Sequence, residues 1–229
     1  YIASISYRVY LKFMSIKINY KSSSQVKNSS NLILFSDENY NISSLKKHFS
    51  GKEYSFIEDL LKTRDIKKKI QSFDINSKKK IILVSVSKNL KSSEIENLGA
   101  KFYDQFKDSK QNEYYLNSDT ASGHLKNFVG YFLHGLKLKS YSFEKYKTKK
   151  NIKKISINVI GKNKPNALNQ LRFKSIEEGT FYARDLVSEP GNILHPDEYS
   201  KRINSLRKFG LKVKIYDEKQ LKKLGMNTL

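Results

Sequence analysis

An α/β fold, with helices packed over a sheet, is what this sequence predicts, and three observations predict it. Short apolar runs of strand length alternate with stretches whose apolar residues recur at helical spacing. Two of those runs, Asn31-Leu-Ile-Leu-Phe35 and Ile81-Ile-Leu-Val-Ser-Val86, are continuous, as in strands covered on both faces. With 38% hydrophobic and 12% aromatic residues over 229 positions, the chain can bury a sizeable core, in one large domain or one domain and part of another.

In chain order, Met14 opens Met-Ser-Ile-Lys-Ile-Asn-Tyr and reads as a start, so residues 1–13 are expected to be an upstream extension. Ile16 to Tyr20 alternates as a half-buried strand; a polar, Ser-rich connection from Lys21 to Ser30 leads to the strand at Asn31. Ile42, Leu45 and Phe49 predict a short helix ending near Gly51, and Phe56, Ile57, Leu60 and Leu61 a second. Ile70 to Ile75 and Ile81 to Val86, joined by Asn76-Ser-Lys-Lys-Lys80, predict a hairpin whose second strand is central to the sheet. Ser92 or Ser93 can cap a helix bearing Ile95, Leu98, Phe102 and Phe106, with Gly99 as a small contact.

Glu113 to Leu116 is a further strand, Ala121 to Leu138 a long helix with a broad apolar face, and Ile155 to Ile160 another strand. A helix from about Ala167 to Val187 follows, its Ile176, Gly179, Ala183 and Leu186 at helical spacing, and Pro190-Gly191-Asn192 stops it. Pro196 suits a first helical position, with Asp197 and Glu198 favouring the positive end of the dipole of a helix that runs to Lys208 and ends at Gly210. Leu211, Val213 and Ile215 alternate with Lys212 and Lys214 as a strand, and Asp217 starts a last short helix.

Composition narrows the chemistry. The net charge of +22 invites a reading as a nucleic-acid binder, but only six of the 44 basic residues are Arg, the residue that reads guanine edges in pairs of hydrogen bonds. Lysine spread over solvated positions explains the charge more simply. With no cysteine there is no disulfide, thiolate nucleophile or thiolate metal site. The N-terminal segment lacks the uninterrupted apolar core of a signal peptide, so a cytoplasmic protein is the expectation. The basic, aromatic stretch from Tyr141 to Lys154, with Tyr141, Phe143 and Tyr146, could stack on single strands; as a loop anchored by its aromatics it needs no ligand.

A catalytic constellation is not visible. His48, His124, His134 and His195 are scattered, and His124 and His134 lie ten apart, beyond the i, i+4 spacing of a two-histidine site. No HExxH, GxSxG, Walker or GxGxxG pattern occurs. The acidic pairs Glu58-Asp59, Glu177-Glu178 and Asp217-Glu218 suit helix caps and solvated faces better than acid and base partners. Arg184 and Asp185, with Glu189 and Asn192, are the most tempting polar residues, and a structural ion pair is their simplest role.

The run Ala183-Arg-Asp-Leu-Val-Ser-Glu-Pro-Gly-Asn-Ile-Leu-His-Pro-Asp-Glu-Tyr199, followed by Leu211-Lys-Val-Lys-Ile-Tyr-Asp-Glu-Lys-Gln-Leu-Lys-Lys-Leu-Gly-Met226, resembles the leucyl (cytosol) aminopeptidase family. It departs at Ser188, where the family carries Asn, and at His195, where it carries Thr. Gly130 to Lys147, with Tyr141-Ser-Phe-Glu-Lys-Tyr-Lys147, is similar to the family's helix and following loop; the first 110 or so residues match only in element order.

The resemblance implies a macro-domain-like, three-layer N-terminal domain over residues 14–160, and a linker helix with the start of an incomplete peptidase domain over residues 161–229. It also implies a homohexamer, peptide substrates and two divalent metal ions, manganese or zinc, that activate water and polarise the scissile carbonyl. Family metal ligands and catalytic residues lie in motifs beyond the Leu-Gly-Met segment. No residue of this chain inherits a catalytic, cofactor-binding or metal-binding role, and the chain alone is expected to be inactive and to bind neither metal. A basic DNA-binding or assembly module is the alternative.

Overall fold

The computed structural model describes residues 16–22, 30–121, 123, 125–148 and 154–226. The start at Met14, the extension before it, His124, most of the Lys21 to Ser30 connection and the tail of the basic aromatic stretch lie outside them. The chain divides into two compact units, Leu11–Phe181 and a second that includes Tyr182–Leu229.

The first unit is a six-stranded sheet between helices. Its strands are β1 (Ile16–Tyr20), β2 (Asn31–Asp37), β3 (Ile70–Asn76), β4 (Lys79–Val86), β5 (Glu113–Asn117) and β6 (Ile155–Ile160), in the order β1-β6-β5-β2-β4-β3. Every neighbouring pair is parallel except β3 and β4. That exception is the predicted hairpin, and Asn76 shapes it by accepting the backbone N–H groups of Lys78 and Lys79 at its Oδ1. β4 is buried as its continuous apolar run requires, yet it lies next to the sheet edge, and β2 and β5 hold the centre.

Side-chain alternation sorts the helices onto the two faces. Leu32, Leu34, Ile81 and Leu83 point to one side, where α1 (Gly51–Thr63) covers them with Ile57. Ile33, Phe35, Ile82, Val84, Tyr114, Leu116, Ile157 and Val159 point to the other, against α2 (Ser92–Phe106) and α3 (Phe128–Lys139). Phe35 is the hub there, meeting Phe128 and Phe132 edge to face at 5.0 and 5.3 Å.

Three helix predictions are corrected. The segment after β2 is a 3-10 turn, Ser43–His48, and Gly51 begins the next helix instead of ending this one, because Ser50 and Glu53 form a capping box there. The N-cap of α2 is Lys91, neither Ser92 nor Ser93; Glu94 reaches back to its backbone N–H at 2.8 Å. The helix predicted from Ala121 begins only at Phe128, after a 3-10 turn at Ser118–Ala121, since Asn127 takes a left-handed φ of 63° that no α-helix continues through.

The long helix, α4 (Ala167–Ser188), matches its prediction in extent but not in face. Phe173, Glu177 and Phe181 turn inward within the first unit, whereas Ile176 is 45% exposed and nothing surrounds Gly179.

The second unit holds α5 (Pro196–Asn204), a 3-10 turn at Ser205–Phe209 and α6 (Glu218–Lys223), none with a buried residue. Gly210 ends the 3-10 turn at φ 85°, and Asp217 caps α6 with Gln220. The strand predicted over Leu211 to Ile215 does not form, because no described strand lies beside it to complete a ladder.

Candidate functional site

The stretch that the sequence singles out folds as a stop and a restart. Glu189 N still donates to Asp185 O at 3.0 Å, and then Ile193 N and Leu194 N both turn back to Pro190 O at 2.9 Å. His195 is the N-cap of α5 in extended geometry, and Pro196 follows at the first helical position. Arg202, from the far end of α5, ties the turn together. Its Nη1 donates to Glu189 Oε1 at 2.9 Å and its Nε to Glu198 Oε1 at 3.0 Å. Tyr182 OH donates to the backbone oxygen of Arg202 at 3.1 Å. The Glu189 side chain is only 2% exposed. Burial works against the Arg202 charge, but the hydrogen bonds to Glu189 and Glu198 outweigh it and hold the group above its ordinary pKa. The Arg202 hydrogen bonds in turn keep Glu198 below the usual carboxylate range.

Glu189 is therefore one partner of the structural ion pair expected here, and Arg202, which sequence reading passed over, is the other. The signal was its i, i+4 spacing from Glu198. Asn192 lies in the turn itself.

Other candidates fall elsewhere. His134 Nδ1 lies 3.2 Å from Glu177 Oε1, and Lys137 Nζ donates to Glu177 Oε2 at 2.8 Å, so α3 holds α4 through a buried carboxylate. The pKa of Tyr20, half-buried nearby, is pushed up to about 12 by burial and then by Glu177. Tyr141 packs near Phe181 at 5.5 Å and so ties the start of the basic aromatic stretch to α4, whereas Phe143 meets Tyr146 of the same stretch, at 5.8 Å, and Tyr146 is 50% exposed. Glu58 accepts from Tyr54 and Glu218 from Lys222, as surface partners within helices.

At the carboxyl ends of β2 and β5 neighbouring parallel strands send their connections in opposite directions, and their pairing ends at Ile33 and Leu116. The strands part there, and Phe35 N donates to Thr120 Oγ1 at 3.0 Å instead of to β5. Asn117 and His48 meet across the gap, and Asp119 Oδ1 accepts Lys162 N. Gly161, at φ 93°, passes so close that a Cβ would lie 2.6 Å from Ser118 Oγ.

Among the described residues no three His, Asp or Glu side chains gather as a metal-binding group. No described helix is long and apolar enough to cross a membrane.

Comparison with known proteins adds to this geometry. The probable cytosol aminopeptidase of Agrobacterium fabrum (strain C58) is 40% identical over 109 residues, covering 43% of this chain. That of Phytoplasma mali (strain AT) is 37% identical over 121 residues, covering 50%. This chain is homologous to the cytosol aminopeptidases. The matched stretches span only 21% and 24% of those relatives. Among solved structures, a mutant tomato leucine aminopeptidase superposes with a TM-score of 0.70 at 17% identity, over 92% of this chain and 46% of its own. The Coxiella burnetii cytosol aminopeptidase gives 0.61 at 16%, over 90% and 41%. The bottromycin maturation enzyme BotP in complex with Mn gives 0.60 at 14%, over 86% and 40%. These likenesses show that the relatives and this chain share a fold. No protein-family model matches the chain.

Proposed function

We propose that this chain is the N-terminal part of a leucyl aminopeptidase, a two-metal exopeptidase that releases N-terminal residues such as leucine from peptides. The identity of 40% over 109 residues to a probable cytosol aminopeptidase carries the reading. The strand order β1-β6-β5-β2-β4-β3 supports a macro-like description of the first unit, and the Glu-Pro-Gly turn with its Arg202 tie supports an entry into the peptidase domain. Peptide substrates, a homohexamer, a cytoplasmic location and a pair of manganese or zinc ions come with this reading. A neighbour of the same fold, BotP, was solved with Mn. The role of residues 182–226 is then positional, and no residue of the chain carries a catalytic, cofactor-binding or metal-binding role.

Two measurements test this. The purified chain, given manganese or zinc, is expected to leave leucine p-nitroanilide intact; metal-dependent hydrolysis would overturn the positional role. A chimera in which the matched segment of the Agrobacterium fabrum relative is exchanged for that of this chain is expected to stay active, and a folded but inactive chimera would count against the family reading.

The charge of +22 supports a second reading, non-specific DNA binding. Affinity carried by charge alone falls steeply, on the order of a thousandfold, between about 50 and 200 mM salt and shows no sequence preference. Sequence-selective binding that survives the higher salt would favour the DNA-binding module.

A further inference from the structure

The ring of His48, in the turn after β2, lies against Asn117 at the carboxyl end of β5, and that contact sets its protonation state. Asp119 N can only donate, and it donates to Asn117 Oδ1 at 3.0 Å, so the Asn117 amide must turn its Nδ2 the other way. That Nδ2 lies 3.4 Å from His48 Nδ1, and an amide nitrogen has only protons to offer. His48 therefore accepts at Nδ1 and carries its one proton on Nε2. A second proton would set N–H against N–H across that contact. Turning the amide over would only move that clash to Asp119 N. The other ring nitrogen offers no relief, because Nε2 is buried without a partner among the described residues.

We infer that His48 is a proton-sensitive latch: neutral, it ties the turn after β2 to the carboxyl end of β5; protonated, it releases that edge of the sheet.

Among the described residues, two charged groups act on the ring. Lys47, from its own turn, opposes protonation, and Asp119, from the turn after β5, favours it. Burial is the larger influence, and with Lys47 it outweighs Asp119, so the group titrates below its ordinary 6.5. The sign follows directly. The folded chain prefers the neutral ring more than the unfolded chain does, so the stabilisation is complete above pH 6.5 and is lost as pH falls through the lower folded value.

Ring-nitrogen NMR of the full chain from about pH 8 to about pH 5 tests the latch on the unaltered protein. The Nε2–H tautomer and a midpoint below 6.5 are expected, with a several-fold rise in amide exchange of residues 43–49 and 117–121 across that midpoint, after correction for intrinsic rates. His48→Gln, which keeps an acceptor that does not titrate, is expected to abolish the acid step. Asn117→Asp still accepts Asp119 N but welcomes a protonated ring, and is expected to raise the His48 midpoint above 6.5. An Nδ1–H tautomer, a wild-type midpoint at or above 6.5, or an unchanged acid step in His48→Gln would overturn the proposal. Should either variant fail to fold, the wild-type ring spectrum decides alone.

Discussion

At the scale of single residues, buried charge separates the side chains that matter from those that only look suggestive. Arg202 holds the nearly inaccessible Glu189 carboxylate, and its removal would take a charged partner from that buried group. Arg202→Ala is expected to cost the second unit about 1.5–3 kcal/mol, the range for hydrogen bonds to charged groups. Faster amide exchange confined to residues around 189–204 would show it. Arg202→Lys keeps the charge but not the two-pronged geometry, and is expected to rescue only part of the loss. Glu189 stands out in the sequence with Arg184, Asp185 and Asn192 as a polar group at the helix stop; spacing along α5 marks Arg202 only as a partner of Glu198, and its bond to Glu189, 13 residues away, is set by the turn. The His134–Glu177–Lys137 contact was hidden for the same reason, since its two helices meet only once the sheet is built.

Among the elements, caps and close crossings decide where the sequence is obeyed. Ser50 Oγ accepts Glu53 N, and Glu53 returns a bond to Ser50 N while also accepting Lys79 Nζ at 2.6 Å. Burial raises the Glu53 pKa, but the hydrogen bonds from Lys79 and Ser50 overcome it and hold the carboxyl below its ordinary 4.5. The stabilisation is therefore full above pH 4.5 and is lost as pH falls through the folded value. Ser50→Ala is expected to lower stability by about 1 kcal/mol in urea unfolding at neutral pH. The α2–α3 crossing is stricter. A Cβ on Gly99 would lie 1.9 Å from Phe132 O, and one on Gly135 1.9 Å from Glu96 O, both immovable backbone. Gly99→Ala must push the helices apart, at a cost of about 1–3 kcal/mol, visible as a lower urea midpoint. The sequence marked Gly99 as a small contact, and helix geometry explains why it is one. Local pattern succeeded wherever a strand found a neighbour, as with all six strands of the sheet, and failed at Leu211 to Ile215, where alternation alone has no ladder to join. It also failed at Ala121, where apolar spacing cannot show the left-handed backbone at Asn127.

For the whole molecule, the remaining question is how much chain the first unit needs in order to stand by itself. Sequence reading placed a boundary after residue 160, where the last strand ends, whereas the compact unit extends to Phe181. The difference is the first two-thirds of α4. That segment brings Phe173 against Tyr131 and His134 at 5.3 Å, places Glu177 between His134 and Lys137, and buries Phe181 beside Tyr141. Without it, His134 and Lys137 lose their carboxylate, the outer side of α3 loses Phe173, and Tyr141 loses Phe181. Deleting a buried phenylalanine side chain alone costs about 3–5 kcal/mol, against a total stability of about 5–15 kcal/mol for a domain of this kind. A chain ended after residue 181 is therefore expected to unfold cooperatively, with a midpoint close to that of the first unit in the full chain. A chain ended after residue 160 is expected to be marginal or unfolded at room temperature. Circular dichroism melts of the two truncations decide it: equal midpoints would mean that α4 is an appendage and that the boundary belongs after β6. A large gap would make the first two-thirds of α4 part of the N-terminal domain's own core, which sequence periodicity could not reveal because the buried stripe of that helix includes a glutamate.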